Sequence, residues 1–346
     1  MMVVPLRCQW CWSHRKRQAR VQSPPVQRST TDSIARRGLA VLPGRQPKRQ
    51  PVKQITSRQV GSMITKPYNL SDEQIRKISE VSHLRKSQYY DIDVCGAIDY
   101  MERRYVRPAL SHITCQSPTV ADCASGYGWL SFAFLLNGAA KAYLIDLDRD
   151  TLDAAREIAA IMGVESRCEF VISPLQELKI PPPGVDVFAS IETLEHVGKK
   201  NVKACLKVMA STTGQVVMFT TPNKLFPVIA HDSQVPFAHW LPRNWRPAYA
   251  RLFRRRDENY GNDFVWPWDL RPLEKEFKPV SRYQMFDSLR EFDAFYPHYL
   301  PYLTGPFRYR EKPPFGIRPL TATLGRSLGR RAYWLAPNLA SVWRRR

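Results

Sequence analysis

Short apolar segments and amphipathic segments alternate along the chain between about residues 119 and 220. The apolar segments have the length and β-branched content of buried strands, whereas the segments between them place apolar residues three to four positions apart, as helices do. The predicted strands are 119–123, 142–146, 168–172, 185–190 and 215–220. The predicted helices are 129–136, 151–162 and 201–210. This alternation predicts an α/β fold in which helices cover both faces of a mostly parallel sheet.

The pattern changes on both sides of this core. Ser71 followed by Gln74 predicts the capped start of a helix, and helical spacing continues in pieces to about residue 112. Residues 224–266 are rich in Pro, Trp, His and Arg and lack regular alternation, which indicates a long insertion. Beyond it we expect a helix near 270–277, a strand near 280–286 and a last strand near 333–337. An interfacial belt of aromatic residues is the alternative for that last segment.

The basic charge is concentrated near the N-terminus. The chain has a formal net charge of +21, and thirteen Lys and Arg against one acid, Asp32, precede Met63. Residues 1–62 are also rich in Pro, Gln and Ser without apolar periodicity, so we expect a disordered extension there. Three interpretations stay open: a nucleic-acid-binding arm, an organelle transit peptide, or a start site placed too early, with Met63 as the alternative start.

These changes in composition divide the chain into five predicted segments. They are a basic extension (1–62), an N-terminal helical cap (63–115), a ligand-binding core (116–223), a substrate-side insertion (224–266) and a last part with the final strands and an aromatic, basic tail (267–346). No apolar run reaches the roughly 18–20 residues that cross a bilayer. The seven cysteines are scattered and odd in number, which predicts free thiols in a reducing compartment. We expect a cytoplasmic protein, and peripheral contact with the inner membrane surface stays open.

A loop of small residues follows the first predicted strand, which ends around Asp122. Small side chains at Ala124, Gly126 and Gly128 let the backbone approach a ligand closely. Ligands of open α/β sheets bind at the carboxyl ends of the strands. Asp146 ends the second predicted strand about 20 residues further on, where a carboxylate can accept both hydroxyls of a ribose.

A dinucleotide-binding fold also combines a glycine loop with a following acid. Its GxGxxG pattern fails here, because the third glycine position holds Trp129 or Ser131, depending on the residue from which the pattern is counted. The anionic side chain of Asp122 also disfavours a pyrophosphate. The loop therefore indicates a ligand that carries a positive charge.

Residues 119–222 resemble the core of class I S-adenosylmethionine (SAM)-dependent methyltransferases, of the type 11 and 12 groups that include ubiquinone-pathway O-methyltransferases. Their DxGxGxG motif is matched by Asp122, Ala124, Gly126 and Gly128, with Ala124 in place of the first glycine. The ammonium group of SAM suits the charge of Asp122. The resemblance implies a Rossmann-like three-layer sandwich with a seven-stranded sheet and SAM as cofactor. It implies SAM contacts from Asp122, Ala124, Ser125, Gly126, Gly128, Asp146, Leu147, Pro174, Leu175 and Glu192.

The fourth predicted strand is followed by Glu192, Glu195 and His196 in an ExxEH pattern. Each of these residues alone is compatible with a capped loop that enters a helix. The full pattern resembles a segment of ubiquinone-type O-methyltransferases and small-RNA 2′-O-methyltransferases, in which it binds a divalent cation. The resemblance implies a Mg²⁺ or Mn²⁺ site formed by these three residues with His231 or His239. Without a metal, His196 is the candidate general base.

The sequence identifies the methyl acceptor less clearly than it identifies the cofactor. Aromatic residues within 226–245 favour a sugar or a quinone, and Arg243, Arg246 and the run 254–256 favour an anionic group, although such a run is more often a solvated face. We expect O-methylation of a small molecule, a glycan or an envelope lipid. An RNA 2′-O-methyltransferase is the first alternative, and it is disfavoured because no RNA-binding module is recognisable. A non-catalytic SAM-binding relative is the second.

Overall fold

A mixed sheet of seven strands organises the protein. The structure, a computed structural model, describes residues 70–87, 89–229, 235–254, 262–295 and 316–346. The strands are β1 (Thr119–Cys123), β2 (Lys141–Asp146), β3 (Cys168–Ile172), β4 (Val185–Ile191), β5 (Thr213–Thr220), β6 (Phe277–Pro279) and β7 (Ser341–Arg345). Their spatial order is β3-β2-β1-β4-β5-β7-β6, and β7 runs antiparallel to both of its neighbours.

Helices pack on both faces of this sheet. They are α1 (Asp72–Glu80), α2 (Ser82–Arg85), α3 (Val94–Met101), α4 (Arg107–Leu110), α5 (Trp129–Leu136), α6 (Arg149–Ile161), α7 (Val202–Thr212), α8 (Arg246–Leu252), α9 (Arg271–Glu274), α10 (Leu289–Phe295) and α11 (Ile317–Leu328). Alternate strand residues contribute to two buried apolar clusters, one with α5 and α6 and the other with α7. The predicted α/β fold with a mostly parallel sheet is confirmed.

The carboxyl ends of the central strands meet at one level. Sequence order reverses where β1 lies beside β4. Cys123 of β1 pairs with Ile145 of β2 and with Ser190 of β4. A crevice at such a reversal is where open α/β sheets bind ligands. The loop after β1, Asp146 at the end of β2 and the loop after β4 therefore lie along the same edge.

Two predictions about the C-terminal part are wrong. The strand expected at 280–286 is instead β6 at Phe277–Pro279, whereas the helix expected at 270–277 is present as α9 and ends earlier, at Glu274. The last strand is Ser341–Arg345, whereas 333–337 lies in the 3-10 turn Gly329–Trp334 and the residues that follow it.

The last strand is difficult to predict from the sequence, because arginines follow its short apolar part. Val342 and Trp343 are fully buried on opposite faces of the sheet. The guanidinium of Arg345 donates to the carbonyls of Ala210 and Thr213. An apolar run this short does not identify a strand by itself, because its burial depends on pairing with β5 and β6.

The N-terminal helices reach the loop that follows β1. Helix α1 begins with the predicted capping box, in which the side chains of Ser71 and Gln74 each bond the other residue's backbone. Gln74 also donates to the carbonyl of Ile161 at the end of α6, at 2.8 Å. From α2, His83 Nδ1 lies 3.1 Å from the hydroxyl of Tyr127. The N-terminal helices thus contact both α6 and the loop after β1.

Other expectations concern cysteines, membrane spans and the N-terminal extension. The cysteines in the described ranges are free thiols, as predicted: Cys95, Cys115, Cys123, Cys168 and Cys205. None of the helices in those ranges combines the length and apolar character of a membrane span. The extension 1–62 lies outside the described residues, and so do the interpretations of it.

Candidate active site

Asp122 is a buried carboxylate near the end of β1. Its side chain accepts a hydrogen bond from Ser131 Oγ in α5 at 2.9 Å, and the residue is 3% exposed. Burial raises the pKa of Asp122 to about 7, because the charged form loses its hydration. The nearby charge of Asp146 adds to this rise. A positively charged group placed beside Asp122 would restore its ionised form.

The loop after β1 follows a tight path held by main-chain hydrogen bonds. Ser125 N donates to the carbonyl of Ile145 at 3.1 Å, and Gly128 N donates to the carbonyl of Ser125 at 2.9 Å. Ala124, Gly126 and Gly128 have φ angles of 61°, 54° and 84°. Glycine adopts this left-handed conformation readily and alanine does so at a cost. Ala124 therefore holds the backbone conformation that suits the glycine of the motif.

Substitution of Gly128 by alanine is expected to destabilise the fold. A Cβ there would lie 2.7 Å from Leu144 Cδ2 and 2.8 Å from Phe132 Cζ. Gly126→Ala is the matched control, because Gly126 shares the positive φ but has open space at the Cβ position. We expect Gly128→Ala to lose about 1–3 kcal/mol more than the control in the free energy of unfolding, measured in urea. Equal losses in the two variants would contradict this packing argument.

Substitution of Ala124 by glycine is expected to stabilise the protein. The left-handed conformation costs a non-glycine residue about 1–2 kcal/mol, and glycine loses about 0.4–1 kcal/mol through the greater entropy of the unfolded chain. The net gain in the free energy of unfolding should be about 0.8 kcal/mol, the middle of a range from about 0 to about 1.6 kcal/mol. Ala121→Gly in the middle of β1 is the control and should destabilise. If both variants lost stability to the same extent, Ala124 would not be strained.

Asp146 turns its carboxylate back towards the same loop. Its Oδ2 accepts from Gly126 N at 3.0 Å, and its Oδ1 accepts from Leu147 N at 2.7 Å and Asp148 N at 3.0 Å. These backbone donors fix the orientation of a side chain that is 4% exposed. The carboxylate lies at the strand end where the ribose contact is predicted.

Two buried hydroxyls in this crevice have no hydrogen-bond partner within the described residues. They belong to Ser125 in the loop and to Ser190 at the end of β4. An unsatisfied buried polar group costs about 1–3 kcal/mol, which a polar ligand would recover. Together with the carboxylates of Asp122 and Asp146 they form a donor and acceptor set that suits an ammonium and a ribose. These residues fit SAM.

The predicted adenine contacts follow β3. Pro174 precedes a 3-10 turn at Leu175–Glu177, and the side chain of Leu175 is buried in the core. Only the main chain of Leu175 can therefore face a ligand. Ile172 and Leu147 expose apolar side chains at the ends of β3 and β2, with exposed fractions of 47% and 55%. Ile172 was not predicted, although its place at the end of β3 indicates this surface.

The loop after β4 contacts the strand ends on both sides. Glu192 has a φ of 51°, and its N–H donates to the carbonyl of Thr220 in β5 at 2.8 Å. Thr193 Oγ1 donates to the carbonyl of Cys123 in β1 at 3.2 Å. Left-handed non-glycine residues of this kind occur at functional sites. The loop is thus held between the cofactor loop and the end of β5.

Glu195 and His196 are adjacent in space as well as in sequence. Glu195 is 2% exposed and accepts from Thr221 Oγ1 at 2.9 Å. His196 Nε2 lies 3.9 Å from Glu195 Oε1, which is beyond hydrogen-bond distance. Burial and the charge of Glu192 raise the pKa of Glu195 well above its usual range, whereas a protonated His196 lowers it. Thr221 was not predicted, because its contact with Glu195 depends on how β4 and β5 lie beside each other.

The predicted metal site is not supported. Within the described ranges, no three His, Cys, Asp or Glu side chains are grouped in a way that could hold a metal ion. His239 Nε2 lies 3.0 Å from the carbonyl of Lys224 and donates to it. Burial lowers the pKa of His239 to about 4, so its imidazole is neutral at physiological pH. The hydrogen bond to the Lys224 carbonyl links two parts of the insertion. His231 lies outside the described residues.

The chain is similar to a family model and to several solved structures. Residues 120–214 match a family model described as a methyltransferase domain. The S-adenosylmethionine-dependent methyltransferase from Clostridium acetobutylicum is 16% identical, with a TM-score of 0.33 over 43% of this chain and 58% of its own. For PH0226 from Pyrococcus horikoshii the identity is 19% and the TM-score 0.33 over 44% and 63%. The 4+2 cyclase SpnF is 14% identical, with a TM-score of 0.39 over 70% of this chain and 79% of its own.

The chain spans less than two thirds of the length of the Clostridium and Pyrococcus proteins. No curated protein sequence matches it. Three observations agree on the kind of domain. They are the sheet order with an antiparallel β7 between β5 and β6, the loop after β1, and the matched family model. Residues 120–214 of the chain are therefore a methyltransferase domain.

Proposed function

We propose that this protein transfers the methyl group of SAM to a hydroxyl oxygen of an acceptor, and that His196 accepts the hydroxyl proton. The observation that carries the proposal is the position of the Glu195–His196 pair on the loop that Thr193 links to the end of β1. An activated methyl group on a sulfonium is the chemistry that SAM supplies when bound. A hydroxyl is a poor nucleophile at neutral pH, so the protein must supply a base.

Each site residue has a distinct role in this proposal. Asp122 pairs with the ammonium of SAM, and Asp146 accepts hydrogen bonds from its ribose. His196 takes the proton and passes it to solvent. Burial and the charge of Glu192 raise the pKa of Glu195 to about 8, and the positive charge that forms on the imidazole favours ionisation of this carboxyl. Thr221 holds Glu195 in place through its 2.9 Å hydrogen bond.

The acceptor side contains aromatic rings and a cation. The rings of Trp266 and Trp268 stack with centroids 4.6 Å apart and an interplanar angle of 13°. Lys224 Nζ lies 5.1 Å from the Trp266 centroid. The segment lies beside the reaction loop, because Asp263 N donates to the carbonyl of Glu195 at 2.9 Å. Aromatic planes beside a cation suit a ring-shaped acceptor with a negative charge, and we favour a phosphorylated sugar.

The same aromatic surface supports a second candidate, a ribose hydroxyl of RNA. Nucleic-acid bases stack on exposed aromatic side chains without strong sequence preference. Exposure is 38% for Trp268 and 44% for Trp240, whose ring lies 6.4 Å from that of Trp266. The two candidate acceptors differ in one respect: RNA carries nucleobases that can stack on these rings, whereas a phosphorylated sugar does not.

Methyl transfer from radiolabelled SAM to a panel of acceptors tests the proposal. The panel contains phosphorylated sugars, the same sugars without phosphate, short single-stranded RNA and primary amines. We expect O-methylated product and S-adenosylhomocysteine with the phosphorylated sugars, at a rate unchanged by a strong chelator. Transfer only to amines would overturn the proposal, product only with RNA would favour the second candidate, and SAM binding without any product would indicate a non-catalytic relative.

A further inference from the structure

Exposed apolar side chains are concentrated in one short segment of the insertion. Twelve large hydrophobic side chains are exposed in the described part of the chain, and five of them lie between residues 237 and 253. These are Phe237, Trp240, Trp245, Leu252 and Phe253, with exposed fractions of 43%, 44%, 62%, 78% and 50%. Single exposed apolar residues are normal, whereas a group of them marks an interaction surface.

Three of these residues lie on one face of α8. Trp245 caps the helix, and Leu252 and Phe253 follow it by seven and eight positions, which is the spacing of a helical stripe. Tyr249, four positions after Trp245, completes the stripe, and its ring packs 5.2 Å from that of Phe253. Tyr249 is itself partly buried, because it packs against Val235, Ala238 and Ala250.

Buried contacts beside this stripe fix the orientation of α8. Arg246 is 8% exposed, and its guanidinium donates to the carbonyls of Leu241 at 3.0 Å and His239 at 2.9 Å. Ala250, four positions further on, is fully buried. These contacts hold the helix against the turn that carries Trp240. The apolar stripe is therefore presented to solvent by a fixed support.

The charged residues of this segment are all arginines, of which Arg243 pairs with Asp263 and Arg246 is buried. Residues 235–254 contain four arginines and no Asp or Glu. Arg251 and Arg254 are exposed next to Leu252 and Phe253. Exposed tryptophan, leucine and phenylalanine flanked by arginine are typical of surfaces that enter the headgroup region of a bilayer, where guanidinium groups pair with lipid phosphates.

We propose that the surface formed by Phe237, Trp240, Trp245, Leu252 and Phe253, flanked by Arg251 and Arg254, docks on an anionic lipid bilayer. It adjoins the acceptor side of the site, because Trp240 Nε1 donates to the carbonyl of Lys224 at 2.6 Å. Docking would therefore hold the acceptor side close to the lipid headgroups. The proposal rests on the surface itself and does not depend on methyl transfer.

Sedimentation of the full-length protein with vesicles tests this proposal. Phosphatidylcholine vesicles with and without phosphatidylglycerol are compared. The triple variant Trp245→Ser, Leu252→Ser, Phe253→Ser should bind the anionic vesicles at least about tenfold more weakly. The matched control is Leu136→Ser, Leu328→Ser, Leu335→Ser, whose residues have exposed fractions of 37%, 40% and 47%. The extension 1–62 is present in both variants, so its contribution cancels in the comparison.

A second pair of variants separates the charge from the apolar contact. Arg251→Gln with Arg254→Gln should weaken binding to the anionic vesicles, whereas Arg330→Gln with Arg331→Gln should not. Unchanged vesicle binding by the triple variant and the Arg251 and Arg254 variant would overturn the proposal, and so would equal losses in variants and controls. Loss of affinity for single-stranded RNA with unchanged vesicle binding would assign the surface to nucleic acid and overturn it as well.

Discussion

Replacement of His196 by alanine is expected to lower kcat by a factor of about 10²–10⁴ and to leave the Kd for SAM nearly unchanged. An imidazole is well suited to accept a proton at neutral pH. His196 lies on the loop between β4 and α7, which contacts the ends of β1 and β5. The residue does not belong to the cofactor loop, so SAM should bind as before. Methyl transfer at saturating SAM and acceptor measures kcat, and calorimetric titration measures Kd.

Two further variants test whether the lower kcat reflects the loss of a base. Glu195→Gln keeps the shape of the side chain and an acceptor for Thr221 but removes the carboxyl group that can ionise beside a protonated His196. It should reduce kcat by about tenfold, the factor for about 1.4 kcal/mol in the barrier. His112→Ala is the control, because His112 pairs with Asp287 at 3.0 Å and has no role in the proposed reaction. Unchanged turnover in His196→Ala would remove this residue as the base.

Asp122→Asn is expected to weaken SAM binding about 100-fold, or about 3 kcal/mol, while it stabilises the protein without SAM near neutral pH. The first effect follows from loss of the charge that pairs with the ammonium. The second follows because burial raises the pKa of Asp122 to about 7 in the folded protein. An asparagine at this position avoids the cost of an ionised buried carboxyl.

The sign of the pH dependence follows from proton binding. The carboxyl of Asp122 titrates near its ordinary pKa of about 3.9 in the unfolded chain. Between about pH 4 and about pH 7 the folded protein therefore holds more protons than the unfolded chain, so this group makes stability fall as the pH rises. The amide side chain of the Asp122→Asn variant does not titrate. The free energy of unfolding of the variant should thus exceed that of the wild type by more at about pH 8 than at about pH 5.

Asp186→Asn is the control with the opposite sign. Although burial opposes it, hydrogen bonds from Thr119 and Gln215 hold the pKa of Asp186 below its usual range. This variant should therefore lose stability at neutral pH and lose less in acid. Urea unfolding at both pH values measures each difference. If Asp122→Asn and the wild type kept the same difference at both pH values, Asp122 would not be the buried acid described above.

The core was predictable because most of its strands are buried apolar runs that alternate with helices. The strand expected at 119–123 is β1, and that expected at 185–190 is β4 with one more residue. The cofactor loop and Asp146 were predictable for a related reason, since a sheet of this order brings the ends of β1 and β2 together.

Contacts between distant segments were not predictable. His239 was expected near the ExxEH residues, but its imidazole is committed to the carbonyl of Lys224, a contact that depends on how the insertion packs. Thr221 bonds Glu195 because β4 and β5 end side by side, which no local pattern records. The last strand was hidden because Trp343 is buried only after β5 and β6 have paired with β7.

Calorimetric titration of the full-length protein with SAM is the most direct test of the central claim. We expect one-to-one binding by the wild type and at least about tenfold weaker binding by Asp146→Ala, because the ribose hydroxyls lose their acceptor. Asp148→Ala is the neighbouring control. Absence of SAM binding by the folded wild type, or equal affinities of wild type and Asp146→Ala, would contradict the assignment of this crevice as the cofactor site.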